Sequence, residues 1–194
     1  MGEFLTNDDQ LFRDDLSDIA NNAILNYDFK QFPPYADGYR IAADVLVKSC
    51  IYQMPFGRGD IDVLIYPIVF NYRHYVELRL KEIIIGLKHC HGIDENVKLV
   101  HDIKILWSEL KKLYQEFEED NNTEDFENAE RVIFEFAKID PRSTAFRYPT
   151  QTMSKVNIRN FGEVMDRLAN FLDCLSDLTE HYRDLTDEMY KDYY

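Results

Sequence analysis

The sequence predicts an all-α protein: a bundle of about five main helices, with one long irregular connection before a long C-terminal helix. Three observations predict it. Apolar residues recur at three- and four-residue intervals over most of the chain, the period of helices that bury one face. Glycine and proline are scarce, 7 and 6 in 194 residues, which disfavours a turn-rich all-β architecture. Finally, the periodic stretches are separated by glycine, proline or cap-forming residues rather than by strand-like alternation. A hydrophobic content of 45% suits one core, so residues 35–194 read as a single domain. Residues 1–34 read as an acidic arm or a short extra helix around Leu11 to Leu25.

Taken in order, Tyr39, Ala42, Ala43, Leu46, Val47 and Ile51 follow the helical template over Asp37 to Gln53, preceded by Pro33-Pro34. Gly57-Arg58-Gly59-Asp60 breaks that helix, and Asp60 or Asp62 can cap the next. Ile61 to Phe70 also suits a buried strand, but Pro67 decides for helix, since proline fits a first helical turn and not a central strand. This helix runs to about Lys88, where His89 and His91 complement the C-terminal dipole and Gly92 ends it. Ile103, Leu106, Trp107, Leu110, Leu113, Tyr114 and Phe117 predict a helix over about 102–119. Phe126, Ala129, Val132, Ile133, Phe136 and Ala137 predict a shorter one after the Asn121-Asn122-Thr123 break. The connection 140–155 has no helical period. The last helix starts near Asn157 and spans roughly 30 residues, about 45 Å at 1.5 Å per residue, longer than the other elements, so its far end is expected to pack on another subunit or to fray. Neighbouring helices joined by short loops are expected to run antiparallel.

The formal charge is −14 and the pI near 4.7, which argues against a broad surface for DNA or an anionic membrane. The acidity is concentrated at the ends, whereas residues 71–112 carry eight Lys or Arg against six acids. A local basic cleft in the middle of the chain is compatible with that distribution. Cys50, Cys90 and Cys174 are far apart and odd in number, so no disulfide framework is expected. No apolar run approaches the ~18 residues of a membrane span and no basic-then-apolar leader opens the chain, so the expected location is the cytoplasm.

The strongest chemical signal lies between Phe70 and Lys81. Arg73, Glu77 and Lys81 stack at i, i+4 and i+8 with His74 beside them, hemmed in by Tyr66, Phe70 and Ile84 on one line and Tyr72, Val76 and Leu80 on the next. Such a stripe is either an i,i+4 ion-pair ladder or a site. As a site, Arg73, Lys81, Arg142 and Arg147 would supply donors for a phosphate or carboxylate, with Tyr148 and Asp102 alongside. His74 and His101 would move a proton, with Glu77 or Asp102 fixing the tautomer. The competing reading of Asp102 is a first-turn acid that complements the helix dipole.

Three motifs carry a resemblance. Tyr66-Pro67-Ile68-Val69-Phe70-x-Tyr72-Arg73-His74-x-x-Glu77-Leu78-x-Leu80-Lys81, then His101-Asp102-Ile103-x-x-Leu106-Trp107, then Asp140-Pro141-Arg142-Ser143-x-x-Phe146-Arg147-Tyr148-Pro149 resemble a group of bacterial helical proteins. That group is similar to the HEPN superfamily of nucleotide-binding helical bundles. The resemblance covers about residues 35–190. It implies a helical domain that binds a nucleotide or RNA phosphate, serves as a non-catalytic assembly module, or acts as a metal-independent endoribonuclease of a toxin or defence system. Nuclease members carry Arg, four to six residues, then His; here Arg73 adjoins His74 and Arg79 is too far from His89. The nuclease motif is therefore not carried over.

No metal is expected. His74-x-x-Glu77 offers two ligands on one face, but Arg73 and Lys81 beside them repel a cation, and a di-iron bundle needs Glu-x-x-His on two helices. No P-loop, GxGxxG or GxSxG motif is present, and Gly57-Arg58-Gly59 is too short to cradle a phosphate, so no cofactor is expected. The expected function is recognition of a phosphate-bearing ligand in a basic, histidine-containing cleft built from the Arg73 helix, the His101 segment and the 140–155 connection. The other class is a helical module that pairs with itself or a protein partner through the last helix.

Overall fold

A computed structural model describes residues 16–23, 33–52, 59–93, 100–117, 123–140 and 155–191. These contain five α-helices and, among the described residues, no strand: α1 (Pro33–Tyr52), α2 (Gly59–Cys90), α3 (Ile103–Gln115), α4 (Thr123–Ile139) and α5 (Ile158–Lys191). The chain divides into two compact units, Met1–Lys30 and Gln31–Tyr194. In the first, a 3-10 turn at Ile19–Asn21 is closed by the Asn21 backbone amide donating to the Asp18 carbonyl at 3.0 Å, and the Asn21 side-chain Nδ2 donates to the Asp18 carboxylate at 2.9 Å. Within residues 16–23 there is no helix beyond this turn; the rest of the stretch read as an acidic arm or a short helix lies outside the described residues. All five α-helices belong to the second unit.

Local chemistry sets the helix ends. Pro33 and Pro34 open α1 instead of preceding it, because first-turn amides have no intrahelical acceptor and proline gives up nothing there. Pro67 lies inside α2, eight residues beyond Gly59, rather than in the first turn. Proline leaves the carbonyl four residues earlier without its donor, and both Val63 and Pro67 are on the exposed side, where water can take that bond. α2 ends in a Schellman motif: Gly92 has φ 66°, its amide donates to the His89 carbonyl at 2.9 Å, and the Ile93 amide to Lys88 at 2.9 Å. Asp102 caps α3 by accepting from the Lys104 amide at 2.9 Å. Asn157 caps α5 by accepting from the Asn160 amide at 3.0 Å.

Side-chain pairs fix the helix directions. α1 is antiparallel to α2, as Tyr39 meets His74 and Asp44 meets Tyr72. α3 is parallel to α2, since Glu77 pairs with His101 and Lys88 with Glu109. α5 is also parallel to α2: Tyr72 meets Phe161, Tyr75 meets Asp173, and His89 meets Asp187. α4 is antiparallel to α3 and α5, with Phe126 against Tyr114 and Phe171, and Phe136 against Phe161. The expectation of antiparallel neighbours thus fails for α2 and α3. α3 starts level with Glu77, not with the end of α2, so the chain between them returns by about 20 Å at 1.5 Å per helical residue.

α2 is the hub, wrapped by α1, α3 and α5. Tyr72, Tyr75, Val76, Leu80, Ile83, Ile84 and Leu87 are all buried. The second part of the core joins α3, α4 and α5 through Trp107, Tyr114, Phe126 and Phe171, and the Trp107 indole is satisfied by Glu130 at 2.8 Å. Among the described residues, no helix is long and apolar enough to cross a membrane.

Candidate functional site

Because α2 is buried around most of its circumference, the charges predicted on its stripe have no water to face. Arg73 is 0%, Glu77 1% and Lys81 6% exposed, so each must find partners inside the protein. Glu77 supplies them. Its Oε2 accepts from Arg73 Nη1 at 3.3 Å, and its Oε1 accepts from Lys81 Nζ at 2.7 Å. Burial alone would raise the Glu77 carboxyl. Hydrogen bonds from Lys81 and His101, with the Lys81 and Arg73 charges, hold it below its ordinary value. Burial draws Arg73 below its ordinary value, against the opposing pull of Glu77 and of Asp140 at the end of α4. The stripe is therefore an ion-pair ladder in its geometry, with Arg73 Nε left buried without a hydrogen-bond partner.

The ladder does more than neutralise itself, because it grips the residue that precedes α3. His101 Nδ1 lies 2.8 Å from Glu77 Oε1, and Arg73 Nη2 donates to the His101 carbonyl oxygen at 2.6 Å. His101 is thereby held by both its ring and its backbone. An ionised carboxylate can only accept, so Nδ1 carries the proton and Nε2 is the other pole of the ring. The imidazole is 66% exposed while Glu77 behind it is 2% exposed. A buried carboxylate orienting an outward imidazole is the arrangement used to set a proton-transfer or hydrogen-bonding group in place.

The other predicted residues divide into three groups. Asp102 adjoins His101, but its carboxylate is used as the α3 cap, so Glu77 and not Asp102 fixes the His101 ring. His74 sits elsewhere: its ring lies edge-on to Tyr39 of α1 at 4.3 Å and stacks near Phe70 at 6.1 Å. The reason is angular, since successive helix residues are about 100° apart, and the step from Arg73 to His74 turns from the α3 side to the α1 side. Arg142, Arg147 and Tyr148 lie outside the described residues.

A second polar network, on the α1 and α5 side of α2, was not anticipated. Arg79, 6% exposed, pairs with Glu82 at 2.7 Å, Asp37 at 2.5 Å and Asp173 at 3.1 Å. Arg40 reaches across from α1 to Asp173 and to Asp166. The Tyr75 hydroxyl donates to Asp173 at 3.1 Å and Tyr72 to Asp44 at 2.5 Å. Burial, with Asp44 or Asp173 nearby, pushes both phenols above their ordinary value. Burial opposes the Arg79 charge, yet Glu82, Tyr75 and Asp173 hold it raised. Available signals were the 3-4-3 spacing of Tyr72, Tyr75, Arg79 and Glu82 and the i,i+4 pair Arg40–Asp44. Its arginines and tyrosines are tied to carboxylates from three helices, with Asp37 and Asp166 at its exposed rim, so it positions α2.

Comparisons with protein-family models, with curated proteins and with solved structures gave no match.

Proposed function

We propose that the corner between α2 and α3 is a recognition site for a phosphate-bearing ligand, a nucleotide or an RNA end, in which His101 makes the contact and the ladder holds it. One observation carries the reading: His101 is pinned at Nδ1 and at its own carbonyl, while most of its ring faces solvent. The ring helps satisfy Glu77 at one edge and presents its other edge to solvent, where a ligand can meet it. Charged, the imidazole gives Glu77 one N–H and a phosphate oxygen the other; neutral, it offers Nε2 as a proton acceptor. Arg73 and Lys81 act from behind as supports, since neither is open to a ligand. The HEPN resemblance of the motifs around Arg73 and His101 supports the same kind of ligand.

Thermal-shift titration with inorganic phosphate and nucleoside phosphates tests it, because a ligand stabilises only the state that binds it. Wild type is expected to gain several degrees and His101→Ala none, with His74→Ala behaving as wild type. An equal shift in His101→Ala places binding elsewhere and ends the reading. A second reading, a non-catalytic assembly module, is favoured by the complete burial of Arg73 and Glu77; no shift with any anion would support it.

A further inference from the structure

Along the outer side of α1, positions 34, 38, 41, 45, 48 and 52 are all exposed. Their alternating spacing of four and three is that of a coiled-coil seam. Ile41 is 61%, Val45 59% and Tyr52 73% exposed, and no atom lies within 4 Å of where a Cβ on Gly38 would stand. In a chain of net charge −14, this stripe contains no carboxylate and one ammonium, that of Lys48. Scattered exposed apolar residues are ordinary, whereas a continuous row at packing intervals marks a contact surface.

We propose that this stripe docks a second copy of the chain, with the two α1 helices antiparallel about a two-fold axis level with residue 43. In that orientation positions symmetric about 43 meet, each pair occurring twice as a two-fold contact requires. Ile41 faces Val45, two branched side chains of similar size. Lys48 faces Gly38, where the missing side chain leaves room for the lysine stem and the ammonium comes beside Asp37, whose side chain is 51% exposed. Tyr52 faces Pro34, ring against ring, and Tyr52 is already steadied by the Arg159 guanidinium 5.6 Å from its centroid. Parallel pairing in register loses each of these matches, since it sets Lys48 on Lys48 and leaves Gly38 opposite Gly38. The far end of α5 suits a second copy less well. Exposed Leu185 and Met189 are there interleaved with exposed Asp184, Asp187 and Glu188, so two copies would bring carboxylates together.

Sedimentation equilibrium of the full chain tests the proposal. A reversible monomer–dimer equilibrium is expected over micromolar to near-millimolar concentration. Added salt tightens it by screening the repulsion between two acidic chains. Val45→Glu and Lys48→Glu each weaken it by about tenfold or more, a loss of about 1.4 kcal/mol, with helical circular dichroism unchanged because both positions are exposed. Register is read by oxidation in a Cys174→Ser background: chains carrying Ile41→Cys and chains carrying Val45→Cys cross-link when mixed, and neither cross-links alone. A monomer at every concentration overturns the proposal, whether another segment of the chain or a foreign helix then covers the face. A dimer indifferent to Val45→Glu, or Ile41→Cys linking to itself, overturns it equally.

Discussion

Glu77 is the residue on which the corner depends, because its two oxygens serve Arg73, Lys81 and His101 at once. Removing one member of a buried ion pair costs about 3–5 kcal/mol, whereas replacing the whole group by apolar residues is often neutral. Glu77→Leu is therefore expected to lose stability in that range in urea denaturation, and adding Arg73→Met and Lys81→Met to recover most of it. The recovered triple variant is expected to lose the phosphate response, since nothing then holds His101. The folded-state Glu77 carboxyl is below its ordinary value of 4.5, so its contribution is complete above about pH 4.5 and is lost as pH falls through the lower folded value. Acid titration of stability should accordingly be shallower in Glu77→Gln than in wild type. At this scale the sequence was partly legible. The i,i+4 spacing of Arg73, Glu77 and Lys81 is enough to predict their pairing, and Glu77 was correctly offered as the partner of a histidine. His74 does not join them because adjacency in sequence is about a 100° turn on a helix, and the Arg79 network is not legible from spacing along α2 because Asp37 and Asp173 come from other helices.

Among the elements, periodicity located every helix of the second unit, since each buries an apolar face and periodicity records that face. What periodicity does not record is direction. α2 and α3 run parallel, and it is this that sets His101, at the start of α3, against the middle of α2. A hairpin would have brought His101 to the far end, near Cys90. Capping gives a sharp test of the roles assigned beside the site. Asp102→Asn keeps an acceptor for the Lys104 amide and should leave both stability and phosphate response unchanged, while Asp102→Ala should cost about 1 kcal/mol. A reduced response in Asp102→Asn would make Asp102 a ligand contact as well as a cap. The glycines of two helices divide in the same way. A Cβ on Gly86 would collide with Thr179 Cγ2 of α5, so Gly86→Ala should force the two helices apart and destabilise by about 1–3 kcal/mol. Gly38→Ala meets nothing, and should stabilise the monomer by about 0.5–1 kcal/mol through helix propensity, as thermal melts at low concentration can show.

Across the molecule, charge is sorted by depth. A chain of net −14 keeps Arg73, Arg79, Lys81 and Lys88 of the central helix buried against carboxylates, and among the described residues its exposed acids lie mostly on α4 and α5. Four of the eight bases of residues 71–112 are thus neutralised in the interior, while Lys104 and Lys112 are exposed, so charge counts alone overstate how basic the corner is. The proposed site consequently rests on one oriented imidazole and not on an open cationic patch. Imidazole nitrogen NMR across neutral pH, with His101 assigned by comparison with His101→Gln, tests that claim most directly. The predicted result is a proton on Nδ1 facing Glu77, a shift at Nε2 when phosphate is added, and loss of the hold on Nδ1 in Glu77→Gln. A ring with no proton on Nδ1, or one indifferent to both phosphate and Glu77→Gln, would contradict it.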